Sequence, residues 1–434
     1  MEEVLDRARR VAEEAEVFSV EVEETPVVFE ANRLKQLMTR QSRSLSLRLV
    51  HKGRTGFSNS SGVEDAGALV EQALQVAQFG AEARFHFPTS KAGTDVEIYD
   101  PAVKQVSLED MVALGEGLIE GVRRGTADLV CEARVSRAVA TVTIANTQGS
   151  RISYQRSYFG LGVEGLLVMG TDMLFVGDGL TSCRPTTDAS AVITSVVRQL
   201  ELSRKTAQAP NGLMPVVFTP MGVASAFFSP LAAGFNGRIV LQGASPLKDK
   251  VGESVFDGKL SLADDANQAY QPFSRPWDDE GVPTRRITLI ERGAVDGFLY
   301  DLQTAGQAGT QSTGSAQRQG RGLPSPGVTA FVVAPGETTL EDMIADMKEG
   351  LVVEGLMGAE QGNVLGGDFS GNVLLGYRVE NGQIVGRVKD TMVSGNIYQS
   401  LGEIEAVGRE GRWVGGRLFT PPLFLRNLNV ATKG

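Results

Sequence analysis

The stretch VTIANTQGSRISYQRSYFGLGVEGLLVMG, residues 142–170, decides the fold of the first half of the chain. Valine, isoleucine and aromatic residues, which favour strands, are spread along it between glycines. With its flanks it predicts one strand after another over residues 129–177. The chain holds 51 glycines against 17 prolines, without low-complexity repeats, and this ratio favours many turns and strands.

Further strand and helix signals surround this region. Residues 16–25, EVFSVEVEET, alternate as a half-buried strand does. Lys52-Gly53 marks a hairpin turn, and Ser107, followed three residues later by an aspartate, marks the beginning of a helix. Another helix is predicted over Ala189–Arg204. The first half therefore predicts a mixed arrangement of helices and strands.

The second half of the chain carries mainly hairpin signals. Arg292-Gly293 and Asn381-Gly382 each predict a tight turn between two strands. One helix is predicted over Leu340–Gly350. This half is therefore expected to consist mostly of antiparallel strands.

A linker candidate separates the two halves. The segment TAQAPNGLMP, residues 206–215, contains two prolines and a glycine. It divides the chain into an N-terminal α+β domain, residues 1–208, and a C-terminal β-rich domain, residues 213–434. The predicted fold class is α+β, with a barrel-like or sandwich-like C-terminal domain.

The composition describes an acidic globular protein. The chain has 434 residues, 42% of them hydrophobic, and a formal net charge of −10. Such a chain repels phosphate, so we expect no nucleic-acid partner. No apolar run reaches the ~20 residues that cross a bilayer, so no membrane partner is expected. Two cysteines, Cys131 and Cys183, make no disulfide framework, and we expect a cytoplasmic protein.

Residue types that usually carry catalysis are scarce. His51 and His86 are the two histidines, which excludes a three-histidine zinc site within this chain. The segment QGRGLPSPG imitates a dinucleotide loop, but no strand precedes it and no helix follows it. Two acidic clusters are interpreted as solvated turns, with a site for a hard cation as the alternative. They are Asp264-Asp265 and Asp278-Asp279-Glu280.

Six segments stand in an order that points to one protein family. They are EVFSVEVEET, SLSLRLVHKGRTGFSNSS, EQALQVAQFG, VGESVFDG, STGSAQRQGRGLPSPGVTAFVVAPGETTLEDMI and GGDFSGNVLLGYRVENGQI. In this order they resemble the TldD/PmbA family, proteins labelled modulators of DNA gyrase and understood as peptidases. The resemblance covers nearly all of the chain and rests on the series of segments rather than on one motif.

The resemblance implies where a zinc motif would stand. A catalytic subunit of that family carries H-E-x-x-x-H on a helix; its histidines hold zinc, its glutamate activates water, and a cysteine near the C-terminus adds a ligand. The motif precedes V-G-E, which is residues 251–253 here. Counting back places Phe228 and Ala233 at the histidine positions. Ser229 stands at the glutamate position, and Pro230, inside the motif, is expected to bend the helix.

The chain is therefore similar to the PmbA branch, also called TldE, whose members lack the zinc motif. No histidine follows His86 and no cysteine follows Cys183. The resemblance implies that this chain holds no metal or other cofactor and that a TldD-type catalytic subunit supplies zinc within a heterodimer. It also implies small or unfolded peptides as substrates, in peptide maturation or antitoxin turnover.

Three other functions stay open. A homodimer of this chain would be a peptide-binding or regulatory protein without catalysis of its own. A peptidase with a non-zinc mechanism would use Ser229 as its nucleophile, although no base is visible. Direct binding to gyrase or DNA is the third.

Two glycine-containing segments are candidates for contact with a peptide. One is a groove where an extended peptide adds to an edge strand, with a plain turn as the alternative; its residues are Gly366, Gly367, Asp368, Phe369 and Ser370. The other is a lid formed by a long, polar and flexible loop, with a surface loop as the alternative; its residues are Ser312, Thr313, Gly314, Arg318 and Arg321.

Overall fold

An antiparallel sheet of long strands forms the first half of the chain in the computed structural model, which describes residues 1–61, 65–320 and 322–433. Its strands are β1 (Glu14–Glu30), β2 (Arg33–Leu37), β3 (Arg40–His51), β4 (Arg54–Ser60), β5 (Val130–Asn146), β6 (Arg151–Met169) and β7 (Asp172–Ser182). Their spatial order is β4-β3-β1-β5-β6-β7, and β2 pairs with β1. Lys52 and Gly53 both have positive φ, 51° and 70°, which confirms the hairpin predicted between β3 and β4.

Helices pack against one face of this sheet. They are α1 (Glu2–Ala8), α2 (Ala66–Ala77), α3 (Ala102–Gln105), α4 (Leu108–Arg123) and α5 (Ser190–Leu202). Val17 and Phe29, both odd-numbered residues of β1, face these helices because alternate side chains of a strand point the same way. Ser107 closes a capping box with Asp110, which confirms the predicted beginning of α4.

A barrel dominates the second half. The strands of this half are β8 (Thr206–Ala207), β9 (Gly212–Phe218), β10 (Leu262–Asp265), β11 (Arg286–Glu291), β12 (Ala294–Val295), β13 (Ala316–Arg318), β14 (Pro324–Pro326), β15 (Phe331–Val333), β16 (Glu349–Met357), β17 (Asp368–Glu380), β18 (Gln383–Val388), β19 (Thr391–Asn396), β20 (Ile404–Val407), β21 (Arg412–Val414), β22 (Leu418–Thr420) and β23 (Leu423–Thr432). Five of them, in the order β16-β9-β23-β19-β17, close into a barrel because β17 also pairs with β16.

The other strands of this half complete the α+β fold that the sequence predicts. A second sheet has the order β12-β11-β10-β15-β22-β21, while β13 and β14 form a separate ribbon. Most neighbouring strands are antiparallel, whereas β9 with β16, β15 with β22 and β8 with β18 are parallel. The predicted barrel-like C-terminal region is confirmed.

Short helices connect these strands. They are α6 (Pro220–Gly234), α7 (Gly237–Leu241), α8 (Leu302–Ala308), α9 (Leu340–Ala345) and α10 (Ile397–Ser400), with 3₁₀ turns at Ala359–Gln361 and Val364–Gly366. The sequence predicts α9 to extend to Gly350, but β16 begins at Glu349, because Leu351–Val353 pairs with strands on both sides. No helix in the described ranges has the length and apolar character needed to cross a bilayer.

The two halves share a hydrophobic core. Phe159 of β6 belongs to the same buried cluster as Val217 of β9, Tyr377 of β17 and Phe424 of β23. The short strand β8, which precedes the predicted boundary at residue 208, pairs with β18 of the second half. Side chains from both halves therefore exclude water from one continuous region.

Gly222 allows α6 to touch the barrel, because a Cβ there would lie 2.3 Å from the carbonyl oxygen of Val353 on β16. We predict that Gly222→Ala lowers the free energy of unfolding by about 1–3 kcal/mol through this clash. Gly117 of α4 is exposed, and a Cβ there meets no atom within 4 Å. Gly117→Ala should raise stability by about 1 kcal/mol through helix propensity. Urea unfolding measures both variants, and a gain in both would contradict the close contact of α6 with β16.

Candidate functional site

Helix α6 contains the positions at which the family's zinc motif would stand. The hydroxyl of its cap, Thr219, accepts a hydrogen bond from the backbone N–H of Gly222 (3.4 Å) and donates one to Glu354 (3.0 Å). Pro220 takes the first helical position, where its missing N–H is not needed. The helix continues through the buried Pro230 to Gly234.

Phe228 of α6 is part of an apolar pocket rather than a polar site. Its ring contacts Phe331 edge to face, with ring centroids 5.6 Å apart. The pocket, which Val333 and Leu423 also line, has a cavity of about 10 Å³, which leaves barely enough space for one water molecule. Phe228 therefore contributes to packing.

The other two motif positions carry no metal ligand of the usual kinds. The hydroxyl of Ser229 donates a hydrogen bond to the carboxylate of Glu360 at 2.8 Å, a partner that the sequence pattern did not indicate. Ala233 presents a methyl group and is half-buried. Ser229 has a carboxylate partner, but no histidine exists in this half of the chain to form a serine–histidine pair.

These side chains do not fit a zinc ion. Zinc in proteins is held by imidazole, thiolate or carboxylate groups, and phenyl and methyl groups offer none. The imidazole of His51 bonds the backbone oxygen of Val11 at 2.8 Å, and that of His86 bonds Glu14 at 2.6 Å. In the parts of the chain that the structure describes, no group of three or more His, Cys, Asp or Glu side chains could hold a metal.

The predicted groove residues divide between surface and core. Asp368 and Ser370 are exposed at the beginning of β17, whereas Phe369 between them is 2% exposed. Its ring lies edge to face against Phe218 and Phe227, at centroid distances of 6.4 and 5.4 Å. The prediction that Phe369 lines a groove is therefore wrong, because strand alternation turns it into the barrel.

The backbone around these residues also forms hydrogen bonds with neighbouring strands. Residues 368–372 of β17 pair with β19, and β17 also pairs with β16 from Asn372 onward, so residues 368–371 have a partner strand on one side and the edge position stays a prediction for them. Gly366 ends a 3₁₀ turn, and Gly367 has a φ of 85°. A Cβ at Gly367 would lie 2.4 Å from the ring of Tyr398, so only glycine fits there.

The predicted lid segment is held in place rather than free. The hydroxyl of Ser312 donates to the backbone oxygen of Tyr300 (3.2 Å), and that of Thr313 accepts from the N–H of Tyr300 (2.8 Å). Gly314 has a φ of 73°, and a Cβ there would lie 2.7 Å from a backbone oxygen of the segment before β11. The side chain of Arg318 is 2% exposed, so the expected flexible polar loop is wrong for these residues. Arg321 lies outside the described residues.

Arg318 belongs to a group of buried charges, here named the interdomain ionic cluster. Its members are Glu16, Arg48, Glu280, Asp301 and Arg318, each at most 2% exposed. Arg48 contacts Glu280 at 2.6 Å and Glu16 at 3.3 Å, and Arg318 contacts Glu16 at 2.5 Å. Two residues come from the first half of the chain and three from the second, so the cluster joins the halves.

Aromatic rings shield the cluster from water. The guanidinium carbon of Arg48 lies 4.7 Å from the ring centroid of Phe85 and 4.8 Å from that of Phe87. Arg318 lies 4.8 Å from the ring of Phe18. Such contacts favour a cation over an aromatic face and replace part of its lost hydration.

The neighbouring acidic residues accept hydrogen bonds from backbone N–H groups and are shielded from solvent. Asp278 accepts hydrogen bonds from three backbone N–H groups, those of Glu280, Val282 and Ala316. Asp264 accepts from the N–H groups of two residues before β15. The interpretation of both acidic clusters as solvated turns is therefore wrong.

One sequence signal could have located the ionic cluster. Arg48 lies within the alternating strand SLSLRLV and stands directly opposite Glu16 in the β1–β3 pair. Opposite charges in the middle of two predicted strands are typical of either a solvated face or a second buried face. The sequence offers no means to choose, because the charged groups that complete the cluster, Glu280, Asp301 and Arg318, lie more than two hundred residues away.

Burial changes the protonation of these carboxyl groups. It raises the pKa of Glu280 to about 8, against the attraction of Arg48, and that of Asp278 to about 7. The cluster has three carboxyl groups and two guanidinium groups, and the third carboxyl, Asp301, has its ion-pair partner outside the cluster, the half-exposed Arg238 at 3.8 Å. Asp301 has a buried oxygen, Oδ2, without a hydrogen-bond partner among the described residues.

A chain of contacts connects the cluster to α6. Arg318 ends β13, which pairs with β14. The side-chain amide of Asn236 donates to the backbone oxygen of Pro326 on β14 at 2.8 Å. Asn236 follows directly on α6 and caps α7, so the charged cluster and the motif helix are positioned together.

The sequence of this chain is similar to those of known proteins. A family model described as the PmbA/TldA metallopeptidase C-terminal domain matches residues 211–432, and one described as PmbA/TldA metallopeptidase domain 1 matches residues 15–77. The uncharacterized protein MJ0231 of Methanocaldococcus jannaschii is 24% identical over 93% of both chains. A Haemophilus influenzae protein named metalloprotease TldD homolog is 28% identical over 49% of this chain, and the match spans only 44% of that protein.

Two solved structures share the fold. TldE from Thermococcus kodakarensis matches with a TM-score of 0.89 and 23% identity, over 99% of each chain. A Thermotoga maritima protein described as a modulator of a DNA gyrase gives the same TM-score and identity, over 99% of this chain and 100% of that one. At this level of identity the likeness establishes the fold.

Substitution of Arg48 should show how much the interdomain ionic cluster contributes to the stability of the fold. We predict that Arg48→Met lowers the free energy of unfolding by about 3–5 kcal/mol, because Glu280 stays buried without its guanidinium partner and Glu16 keeps only Arg318. Arg43→Met is the matched control: Arg43 faces Glu21 across the same strand pair but is about half exposed, and should cost at most about 1 kcal/mol. Guanidinium unfolding measures both, and equal losses would contradict a dominant buried pair.

The raised pKa of Glu280 predicts how stability depends on pH. A carboxyl whose pKa is higher in the folded than in the unfolded state stabilises the fold at low pH, and this contribution is lost as pH rises through the folded value. The free energy of unfolding should therefore fall between pH 4.5 and about 8, and Glu280→Gln should flatten the fall. Glu164→Gln, an exposed control on β6, should leave the slope unchanged. Denaturant titrations at several pH values test this, and an unchanged slope in Glu280→Gln refutes it.

Proposed function

The chain belongs to the TldD/PmbA family of metallopeptidase-like proteins, and from this premise we propose that it is the non-catalytic, TldE-type subunit of a peptidase. Its partner would be a TldD-type subunit that carries the H-E-x-x-x-H motif and the zinc ion. The substrates would be small or unfolded peptides. Within this pair, the present chain shapes and closes the peptide site but supplies no metal ligand.

The observation that carries the proposal is the state of helix α6. Phe228 stands at a ligand position and packs against Phe331, and Ala233 stands at the other. A helix with apolar groups at its ligand positions cannot bind zinc through them, but it can still pack against the barrel. A second chain is then needed for zinc-dependent cleavage.

The exposed end of β17 is the proposed contact with a peptide. Asp368 and Ser370 point to the outside of the barrel, and Asp368 accepts a hydrogen bond from the side-chain amide of Asn396 at 2.8 Å. This bond holds the carboxylate in one orientation at the surface. An oriented carboxylate beside a hydroxyl suits hydrogen bonding to the main-chain N–H groups of a peptide.

The proposed location is the cytoplasm, and two free cysteines support it, because thiols stay reduced there. Cys131 and Cys183 are both buried and form no disulfide. Burial raises the pKa of the Cys131 thiol to about 11 and that of Cys183 to about 12. Thiols of this kind stay protonated and unreactive near neutral pH.

The test is reconstitution with the expected partner. The chain alone should bind no zinc and cleave no unstructured fluorogenic peptide. Mixed with an H-E-x-x-x-H relative from the same genome, it should form a stable pair that binds zinc and cleaves the peptide. Metal analysis, size-exclusion chromatography with light scattering and the cleavage assay give the three readouts. Zinc binding or cleavage by the isolated chain would refute the proposal, and self-association without the partner would favour the homodimeric alternative.

A variant tests the peptide contact separately. Asp368→Ala combined with Ser370→Ala should lower kcat/KM of the pair about three- to tenfold, through lost hydrogen bonds to the peptide. Pair formation should not change. Ser153→Ala, an exposed serine on β6, is the control and should leave kcat/KM unchanged. Equal activity of the double variant and the wild type would place the peptide elsewhere.

A further inference from the structure

A cavity of about 300 Å³ lies where the first sheet meets the loop that follows β10. Its walls are residues 94–99, Tyr154 and Gln155 of β6, and two residues of that loop, Tyr270 and Pro276. Neither α6 nor β17 contributes a lining residue. This volume suits a side chain or a small organic molecule.

The walls of the cavity are held by main-chain hydrogen bonds between the two halves. The N–H of Tyr270 donates to the backbone oxygen of Glu97 at 2.6 Å, and the N–H of Thr94 donates to that of Pro276 at 3.2 Å. Tyr154 is supported from behind by Trp277, with ring centroids 6.0 Å apart. The cavity is therefore formed before any ligand arrives, which reduces the entropic cost of binding.

The aromatic lining favours cations. Tyr99, Tyr154 and Tyr270 all border the cavity. Tyr270 already stacks on the guanidinium of Arg184, whose central carbon lies 3.3 Å from the ring centroid. Tyr270 holds this position with a φ of 57°, a conformation rare for a bulky residue. The ring of Tyr270 therefore already binds one cation, the guanidinium of Arg184, through one of its faces.

The charged side chains that line the cavity are acidic, and the guanidinium of Arg184 contacts the ring of Tyr270. Asp95 and Glu97 are exposed at its rim, and neither forms an ion pair within the described ranges, whereas Arg184 pairs with Asp100 at 4.0 Å. Glu97 interacts with the phenol of Tyr270, which raises the pKa of that phenol. Among the residues that the structure describes, no lysine or arginine lines the cavity. An anion is therefore disfavoured, and a cation gains both carboxylate and ring contacts.

Free main-chain groups lie beside these carboxylates. Within the described residues, the N–H groups of Asp95 and Val96 donate to no protein acceptor. They belong to a segment outside the helices and strands, so they are available to donate to the backbone oxygens of a ligand. A basic side chain carried on an extended peptide would satisfy both the cavity and these groups.

We propose that this cavity binds a guanidinium or ammonium group between Tyr154 and Tyr270, neutralised by Asp95 and Glu97. The group comes from a basic side chain of a peptide or from a free small amine. This site is separate from the proposed peptide contact on β17 and does not depend on the proposed subunit role.

The experiment compares charged and neutral probes on the full chain. Titration calorimetry uses the peptide Gly-Gly-Arg-Gly-Gly, its citrulline counterpart and free arginine amide. The arginine peptide should bind at least about fivefold more tightly than the citrulline peptide at low salt, and the preference should shrink at high salt. Tighter binding of the peptide than of arginine amide identifies a peptide ligand, and equal binding identifies a small amine.

Variants place the binding in this cavity. Asp95→Asn combined with Glu97→Gln should remove the preference for arginine over citrulline, and Tyr270→Leu should weaken binding of the arginine peptide. Glu164→Gln, an exposed carboxylate ten residues from Tyr154 on β6, should leave binding unchanged. Circular dichroism confirms that each variant is folded. Absence of a preference in the wild type, or its persistence in the Asp95/Glu97 double variant, overturns the proposal.

Discussion

The 2.6 Å contact between Arg48 and Glu280 joins the two halves of the chain where water is excluded. The first half places Glu16 opposite Arg48 on one face of its sheet, and the second half places Glu280 and Arg318 against that face. These four charged groups lose contact with water when the halves dock. A buried charge that lacks its partner costs several kcal/mol, on the order of 3–5. The second face of the N-terminal sheet is therefore stable in its buried state only when both halves are folded and docked.

This dependence extends to the motif helix. Arg318 lies on β13, β13 pairs with β14, and β14 accepts a hydrogen bond from Asn236 at the end of α6. At the other end, Gly222 lets α6 rest on β16. The helix is therefore fixed at both ends, and a metal ligand is not required to hold it. This explains how the fold persists with Phe228 and Ala233 where ligands would stand.

Local signals in the sequence predicted local structure well. The turn at Lys52-Gly53 and the capping box at Ser107 depend on two to four consecutive residues, and both are confirmed. The errors concern distant partners. The sequence predicts α9 to continue to Gly350, but pairing with β9 and β17 converts its last residues into a strand. The glycine-rich sequence around Phe369 predicts a groove, but it does not indicate which face of β17 meets the barrel core.

What the sequence determined by itself is mainly chemical: no histidine follows residue 86 and no cysteine follows residue 183, so α6 carries neither an imidazole nor a thiol. It also determined the strand-rich character of both halves, since that depends on neighbouring residues. Only the tertiary structure decided which charges are buried and which surfaces form cavities. Arg48 and Glu280 are 232 residues apart, and their burial follows from the docking of two sheets, a property that no local pattern encodes.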